Sequence, residues 1–205
     1  ISVGAEGKDV IDRVEILRNN EVITRYQPVD RPIDESSWNR PVLLRIEFGW
    51  GPWGDLDMAR ICDWLFDLEV NNGEILEVTP CFQSGPYAEN RRNLVNNITG
   101  KGCQVQSYTS RTQAFQEVGP VNSLVLKLKG SPKTRLNIKM KQPQERTIEK
   151  SLSELIEKSH VTFTGPFTAE SMLIHQPVFE NHYKTHFEFT DELNTDKLNW
   201  YYARV

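Results

Sequence analysis

The sequence has few of the features that define several large classes of protein. It contains only three cysteines, Cys62, Cys81 and Cys103, and none of them forms a Cys-x-x-Cys motif. This spacing argues against a zinc knuckle or a disulfide framework, so we expect buried thiols with one optional bridge. No apolar run approaches the ~20 residues that a membrane-spanning helix needs. A phosphate-binding loop, a dinucleotide fingerprint and a Gly-x-Ser-x-Gly elbow are also missing, so the sequence indicates no catalytic residue and no cofactor.

An excess of positive charge is missing as well. The 205 residues include 24 lysines and arginines against 28 aspartates and glutamates, which gives a net charge of -4. This balance argues against nucleic acid or a membrane as a partner. The hydrophobic share of 38% is enough to form a core in a chain of this length, so we expect a folded protein.

The sequence does contain a series of short apolar runs, each ended by glycine, proline or asparagine. These runs alternate or are rich in β-branched and aromatic residues, which is typical of strands. We therefore predict a mainly β protein, an antiparallel β-sandwich with one amphipathic α-helix. The main predicted strands are 41–49, 64–70, 74–82, 105–110, 121–129, 134–141, 160–164, 171–175, 182–189 and 200–205.

Two of the predicted hairpins lie in the middle of the chain. The first turns at 71–73, an Asn-Asn-Gly sequence, and joins strands 64–70 and 74–82. The second turns at 130–133 and joins strands 121–129 and 134–141. Asparagine and glycine are common in such turns because they tolerate positive φ angles.

A further hairpin is predicted near the start of the chain, around an Asn-Asn turn at 19–20. The chain stops within another aromatic strand, which would be an exposed edge unless it were covered. We therefore predict one domain over 1–205, in which the terminal strands 10–26 and 198–205 are neighbours and the segment 42–190 is inserted between them. We also expect a fragment of a longer protein, because the chain begins on a hairpin and ends within a strand.

Only one segment has the periodicity of a good helix. Ile148, Leu152, Leu155 and Ile156 are spaced so that they fall on one helical face. We predict an amphipathic helix over 147–159 with Thr147 as its N-cap and these four side chains buried.

The segment Trp50-Gly-Pro-Trp-Gly54 contains two candidate ligand-binding residues, Trp50 and Trp53. Glycines on both sides of the proline let the backbone turn sharply and hold the two indoles on a stiff loop. Flat exposed aromatic rings stack on sugars or cap a pocket. Large aromatic side chains are usually buried, however, so the favoured interpretation is that both indoles plug one end of the sandwich.

Three arginines, Arg91, Arg92 and Arg111, are the other candidate ligand-binding residues. Guanidinium groups bind phosphate and carboxylate in a bidentate manner, so these side chains could face an anion. They could equally pair with Glu89 or Asp55, and their spacing does not decide between the two.

A weak candidate metal site involves Glu180, His182 and His186, with Glu188 beside them. On a strand these residues would share one face, and imidazole with carboxylate is a ligand set for zinc or iron. Tyr183 and its aromatic neighbours would then face the core. The charged face is better explained as the solvated side of an antiparallel sheet, so we predict no metal.

Several short motifs together resemble a known family. They are Phe48–Gly54, Glu89–Asn93, Tyr108–Arg111, Ser153–Ile156, Ile174–Val178 and Trp200–Val205. They look like the C-terminal region of a family of large bacterial proteins. In that family, a metal-dependent hydrolase domain of the polymerase and histidinol phosphatase type is followed by a β-rich tail.

The resemblance implies a non-catalytic accessory domain that packs on the catalytic domain preceding it in the same chain. The catalytic part of such proteins begins with a His-x-His pattern, which is missing here, so the metal centre would lie outside these residues. Two alternatives stay open: a carbohydrate-binding module that uses Trp50 and Trp53, and an independent metal-dependent hydrolase that uses His182 and His186. The resemblance leaves the compartment open, including the periplasm and the exterior of the cell.

Overall fold

The computed structural model of the protein describes residues 1–51, 59–82, 93–111, 121–166, 169–192 and 198–205. Within these residues the chain is mainly β with antiparallel sheets, which confirms the predicted fold class. The strands are β1 (Ser2–Glu6), β2 (Val14–Arg18), β3 (Glu21–Tyr26), β4 (Val42–Phe48), β5 (Ile61–Asn71), β6 (Glu74–Cys81), β7 (Leu94–Asn96), β8 (Gly102–Ser110), β9 (Asn122–Lys129), β10 (Arg135–Gln142), β11 (Arg146–Ser151), β12 (His160–Phe163), β13 (Ser171–Ile174), β14 (Val178–Phe179), β15 (Lys184–Glu188) and β16 (Tyr201–Arg204). The helices are α1 (Leu152–Glu157), α2 (Glu180–Tyr183) and two short 3-10 turns, Pro28–Asp30 and Glu35–Asn39.

The chain divides into two compact units. The terminal unit consists of Ile1–Arg40 and Val178–Val205, and the inserted unit consists of Pro41–Pro177, which lies between them in the sequence. The sequence places the inserted segment at 42–190, so its predicted end lies beyond the observed one. The expectation of one domain over 1–205 stays a prediction.

The inserted unit is built from two antiparallel sheets. One sheet has the strand order β11-β10-β5-β8-β7, and the other includes β12-β13-β4-β9-β6. Alternate residues of β5 are buried, because successive side chains of a strand point to opposite faces. The ring of Phe48 in β4 lies 5.2 Å from that of Trp64 and 5.5 Å from that of Phe66 in β5, centroid to centroid. The two sheets therefore pack face to face.

Both hairpins predicted in the middle of the chain are wrong. β5 pairs with β8 and β10, whereas β6, which follows the turn at 71–73, pairs with β9 in the other sheet. In the same way β9 and β10 belong to different sheets. Each turn is an arch that carries the chain from one sheet to the other, with Asn72 at a φ of 56°.

Thr134 joins the two arches. Its Oγ1 donates to the carbonyl oxygen of Asn72 at 2.6 Å and accepts from the backbone N–H of Ser131 at 2.9 Å. A Cβ atom at Gly73 would lie 2.6 Å from Thr134 Cγ2, and one at Gly130 would lie 2.5 Å from its Oγ1. Both positions need glycine because Thr134 already fills the space between the arches.

The predicted helix over 147–159 is wrong in its first half. Residues Arg146–Ser151 form β11, which pairs with β10, and α1 begins only at Leu152. The N-cap is Ser151, which exchanges hydrogen bonds with Glu154 in a capping box, and not Thr147. The predicted burial of Ile148, Leu152 and Leu155 is confirmed, but Ile156 is exposed.

The terminal unit confirms the prediction made for the two ends of the chain. β2 and β3 form the expected hairpin, in which Asn19 and Asn20 both have positive φ angles. β16 pairs with β2 in an antiparallel manner, and β1 pairs with β15. One buried hydrophobic cluster of this unit is formed by Ile11, Val14 and Ile16, against which side chains of β1, β3, β15 and β16 pack.

Gly102 lies where β8 passes β5 so closely that no side chain fits. A Cβ atom at this position would lie 2.3 Å from the backbone oxygen of Leu68. We expect Gly102→Ala to lower the free energy of unfolding by about 1–3 kcal/mol, because the two strands must separate. Urea denaturation measures this change.

The matched control is Gly100→Ala in the preceding turn. Its new Cβ would meet the Glu74 side chain at 3.6 Å, which is an ordinary contact. An equal loss of stability in both variants would contradict the explanation.

Candidate functional site

The ends of several strands from both sheets meet at one end of the inserted unit. Phe48 is paired with Asn122 and with Met172, Cys81 with Ser123, and Ile61 with Ser110. We call this the loop end, because β4, β6 and β8 end here and β9 and β13 begin here. Trp53, Arg91 and Arg92 lie outside the described residues.

A buried polar network connects the two sheets at the loop end. Asn122 Nδ2 in β9 donates to Ser107 Oγ at 2.9 Å and to the carbonyl oxygen of Tyr108 at 3.0 Å in β8. Ser107 Oγ in turn donates to Asn93 Oδ1 at 2.7 Å. Buried polar groups that are mutually hydrogen-bonded fix the positions of their backbones, so the network makes this end rigid.

Arg111 occupies the same end, in a buried ion pair. Its Nε and Nη2 lie 3.2 and 3.1 Å from Glu170 Oε1, and both residues are only 2% exposed. Arg111 follows β8 and Glu170 precedes β13, so the pair links the two sheets. The structure therefore places Arg111 against Glu170, a buried carboxylate of its own chain, whereas Glu89 and Asp55 lie outside the described residues.

Two more groups surround the Glu170 carboxylate. Arg60 Nη2 lies 3.1 Å from Glu170 Oε2, but without the geometry of a hydrogen bond. Burial, together with the charge of Glu170, raises the pKa of the Cys62 thiol to about 12.

Burial alone raises the pKa of Cys103 to about 11. These thiols stay protonated at neutral pH and are poor nucleophiles, and all three cysteines are free.

Trp50 lies at the edge of the loop end with its indole outward. Its side chain is 51% exposed, so the prediction that it plugs the sandwich is wrong. Its carbonyl oxygen accepts from the N–H of Ser171 at 2.6 Å and from Ser171 Oγ at 2.7 Å. Gly49, with a φ of 114°, turns the chain just before it. The backbone is thus fixed on β13 while the ring remains accessible.

Exposed apolar side chains continue from Trp50 along the outer face of the sheet. Its ring lies 6.4 Å from that of Phe163, centroid to centroid, and Val161 and Phe163 are 49% and 39% exposed. Val161, Leu173 and Glu47 are direct neighbours across β12, β13 and β4. We call these five residues the Trp50 surface. A cavity of about 330 Å³ lies within it.

Charged groups border this surface on the side of β4. Glu47 Oε2 lies 3.1 Å from Arg45 Nη2 and 3.5 Å from His175 Nε2. These two neighbours, His175 first, hold the pKa of Glu47 below its usual value. The ionised carboxylate, the guanidinium of Arg45 and the imidazole of His175 place polar groups beside an exposed aromatic ring, which is the composition of a ligand-binding surface.

The residues of the weak candidate metal site do not lie on one strand face. Glu180 and His182 belong to helix α2, whereas His186 belongs to strand β15. His182 Nε2 lies 2.8 Å from the carbonyl oxygen of Arg31 and donates to it, since a carbonyl oxygen only accepts. His186 Nε2 lies 3.3 Å from Ser2 Oγ, and Glu180 pairs with Arg40 at 3.5 Å. Among the described residues there is no group of three or more His, Cys, Asp or Glu side chains that could hold a metal ion.

Sequence reasoning missed Glu47, Phe163 and Glu170. Glu170 lies 59 residues from Arg111, and no motif connects the two. For Phe163 a weak signal existed, because it stands in a predicted strand with Val161 two residues before it on the same face. Nothing local indicates that this face stays exposed.

Comparison of the chain with protein-family models, with curated proteins and with solved structures gives no match in any of the three. In the described part of the chain, no helix has both the length and the apolar character needed to cross a membrane. The functional inference therefore depends on the sequence motifs and on the geometry of the Trp50 surface.

Glu170 places a negative charge beside the buried guanidinium of Arg111. Loss of this carboxylate should therefore lower the stability of the protein. We expect Glu170→Gln to lower the free energy of unfolding by about 3–5 kcal/mol, because the buried guanidinium of Arg111 loses a carboxylate that lies 3.1 Å away. The exposed pair Arg135–Glu149, whose atoms lie 2.6 Å apart, provides the control. Glu149→Gln should cost less than about 1 kcal/mol in the same denaturation experiment.

The double variant Arg111→Met with Glu170→Leu removes both charges together. It should be more stable than Glu170→Gln, since apolar groups replace a buried pair at little cost. Equal stability of Glu170→Gln and the unchanged protein would show that the ion pair does not hold the loop end together.

Proposed function

We propose that the chain is a non-catalytic accessory module of a larger metal-dependent hydrolase of the polymerase and histidinol phosphatase type. Its partner is the catalytic domain that precedes it in the same polypeptide, and the Trp50 surface is the contacting face. The short motifs that resemble the β-rich tails of such hydrolases support the identity of the partner. The hydrolase supplies the metal centre and the chemistry, and this module supplies a rigid contact surface.

The single observation that carries the proposal is the exposure of Trp50 on a fixed backbone. Tryptophan is among the residues most enriched at the energetic centres of protein interfaces. Here the ring stands beside Val161 and Phe163, which are also exposed, and Glu47 forms a polar border. An apolar centre with a charged border is the usual organisation of a contact surface between domains.

The proposal predicts protection of β12 in the full-length protein. Backbone amides of His160–Phe163 should exchange with deuterium at least about tenfold more slowly in the full-length protein than in the chain of 205 residues, because a covered edge opens less often. The amides of β3 in the terminal unit serve as the internal control and should exchange equally in both. Hydrogen-exchange mass spectrometry measures both segments in one experiment.

Three outcomes would overturn the proposal. One is equal exchange of β12 in the two proteins, and another is a gene that encodes no hydrolase domain before Ile1. The third is turnover of a phosphomonoester by residues 1–205 with added manganese or zinc, lost on changing His182 or His186 to Ala. That result would favour the independent hydrolase.

Carbohydrate binding is the second candidate, and the same exposed indole favours it. A sugar ring can stack on Trp50 while the carboxylate of Glu47 accepts hydrogen bonds from its hydroxyl groups. Both groups line the cavity of about 330 Å³, which has room for a sugar ring. The accessory role and a sugar-binding role differ in what occupies the Trp50 surface, and this can be measured directly.

Sugar binding at this surface predicts a strong effect of Trp50→Ala. Affinity for a polysaccharide that slows the unchanged protein in the gel should fall at least about tenfold. Truncation of a central tryptophan typically costs about 2 kcal/mol or more of binding free energy. Affinity electrophoresis in gels containing soluble polysaccharides provides the measurement. Trp200→Ala is the control, since Trp200 is 44% exposed in the other unit and should not affect retention. Equal retention of both variants would exclude Trp50 as the sugar platform.

A further inference from the structure

Three arginines of the terminal unit converge on one buried carboxylate. Glu15 lies in β2, the central strand of the sheet β16-β2-β3. Its direct neighbours across the sheet are Arg25 in β3 and Arg204 in β16. Directly paired residues point to the same face, so the three side chains form one row across this sheet. Arg13, two residues before Glu15, joins them from the chain preceding β2.

The contacts within this cluster are short. Arg25 Nε lies 2.8 Å from Glu15 Oε1, Arg204 Nε lies 2.7 Å from Oε2, and Arg13 Nε lies 3.5 Å from Oε1. Arg204 Nη2 also donates to Oε2. The Glu15 side chain is only 3% exposed, whereas those of the three arginines are 54% to 62% exposed. The carboxylate thus lies beneath guanidinium groups that face the solvent.

Glu15 stays ionised over the physiological range. Hydrogen bonds from Arg204 and then Arg25 hold its pKa below the usual value. A permanent negative charge beneath the arginines reduces their mutual repulsion and restricts their rotamers. Part of the entropic cost of ordering these long side chains is therefore met before any ligand arrives.

The charge in the cluster is not balanced. Three guanidinium groups share one carboxylate, and Asp12, which is itself highly exposed, lies 4.0 Å from Arg13. Lys8 and Asp9 line the same cavity of about 520 Å³ beside Arg13 and Arg204, and Asp9 Oδ1 accepts from the N–H of Val10. Of the side chains named here, four are cationic and three are acidic, so the row with its neighbours carries one net positive side-chain charge.

Within the described residues, Arg25 and Arg204 make their charged contacts with Glu15 alone. Arg25 uses its Nε for this contact, so its terminal amino groups are available to a ligand in the solvent. The guanidinium groups approach from three different directions, namely β3, β16 and the segment before β2. A tetrahedral oxyanion presents oxygens in several directions, whereas a carboxylate presents two in one plane.

We propose that Arg13, Arg25 and Arg204 form a binding site for a phosphate group, with Glu15 holding the guanidinium groups in place. The phosphate could be free in solution or be part of a larger phosphomonoester. Both present the same oxygens and differ in the group attached to phosphorus. The proposal is independent of the function proposed above, since it concerns the terminal unit and not the Trp50 surface.

The test uses inorganic phosphate and the complete chain of 205 residues. Isothermal titration, with each run at a fixed ionic strength, should show saturable binding at one site. The affinity should fall from run to run as the sodium chloride concentration is raised, since the contacts are exposed and ionic. Arg13→Gln should lower the affinity at least about tenfold, the effect of losing one charge-assisted hydrogen bond. This variant keeps the contacts of Glu15 with Arg25 and Arg204, and thermal unfolding without phosphate verifies that it folds.

Arg25→Gln provides a second variant with the same expected loss. Arg135→Gln is the control, because Arg135 is equally exposed but has one glutamate as its partner, and its affinity should not change. Absence of saturable binding of phosphate, or equal affinity in the unchanged chain and in both variants of the cluster, would overturn the proposal.

Further titrations separate the possible sources of the phosphate. Phenyl phosphate should bind at least as tightly as inorganic phosphate if the group belongs to a larger molecule, and less tightly if the site takes the free ion. In either case acetate should bind more weakly than both. Tighter binding of acetate than of phosphate would replace the phosphate site by a carboxylate site and contradict the proposal.

Discussion

The aromatic packing between Phe48, Trp64 and Phe66 determines the organisation of the inserted unit. These rings are fully buried and come from both sheets, so they set the distance between the sheets. The strands that carry them end together, which brings Arg111 of one sheet to Glu170 near the other. The ion pair there is shielded from water, since both residues are only 2% exposed.

The two arginine and glutamate clusters of the protein have opposite characters. Around Glu170 the principal arginine, Arg111, is as buried as its partner, so the pair connects sheets and offers nothing to the solvent. Around Glu15 the carboxylate is buried but the arginines are exposed, so positive charge faces outward. The same residue types thus give a structural tie in one unit and a candidate ligand site in the other. The difference arises from the burial of the guanidinium groups.

The sequence predicted those features that depend on local pattern. The fold class and the first hairpin followed from alternation and turn residues, and the pairing of the last strand followed from the need to cover its exposed edge. The turns at 71–73 and 130–133 were found, but local pattern does not determine which sheet receives the next strand, so both were misassigned as hairpins. The predicted helix began too early because Ile148 has the spacing of a buried helical position. In the structure it is buried as a residue of strand β11.

The candidate sites were harder to predict for a related reason. Exposure of Trp50 depends on Ser171, 121 residues away, which fixes the backbone and leaves the ring outside. The pairing of Arg111 depends on Glu170, and the cluster around Glu15 depends on Arg204, 189 residues away. Residue type indicated that tryptophan and arginine were candidates, but only the tertiary structure assigns each of them a partner.

The pairing of β2 with β16 has a consequence for the order in which the chain folds. Pairing of residues so distant in sequence closes a very large loop, and such contacts slow folding. During synthesis on the ribosome, Pro41–Pro177 is complete while the β2–β3 hairpin still lacks β16. An isolated hairpin is only marginally stable, and its uncovered edge can pair with another chain. Within these 205 residues, the terminal unit can therefore complete its sheet only after Val178–Val205 has been synthesised.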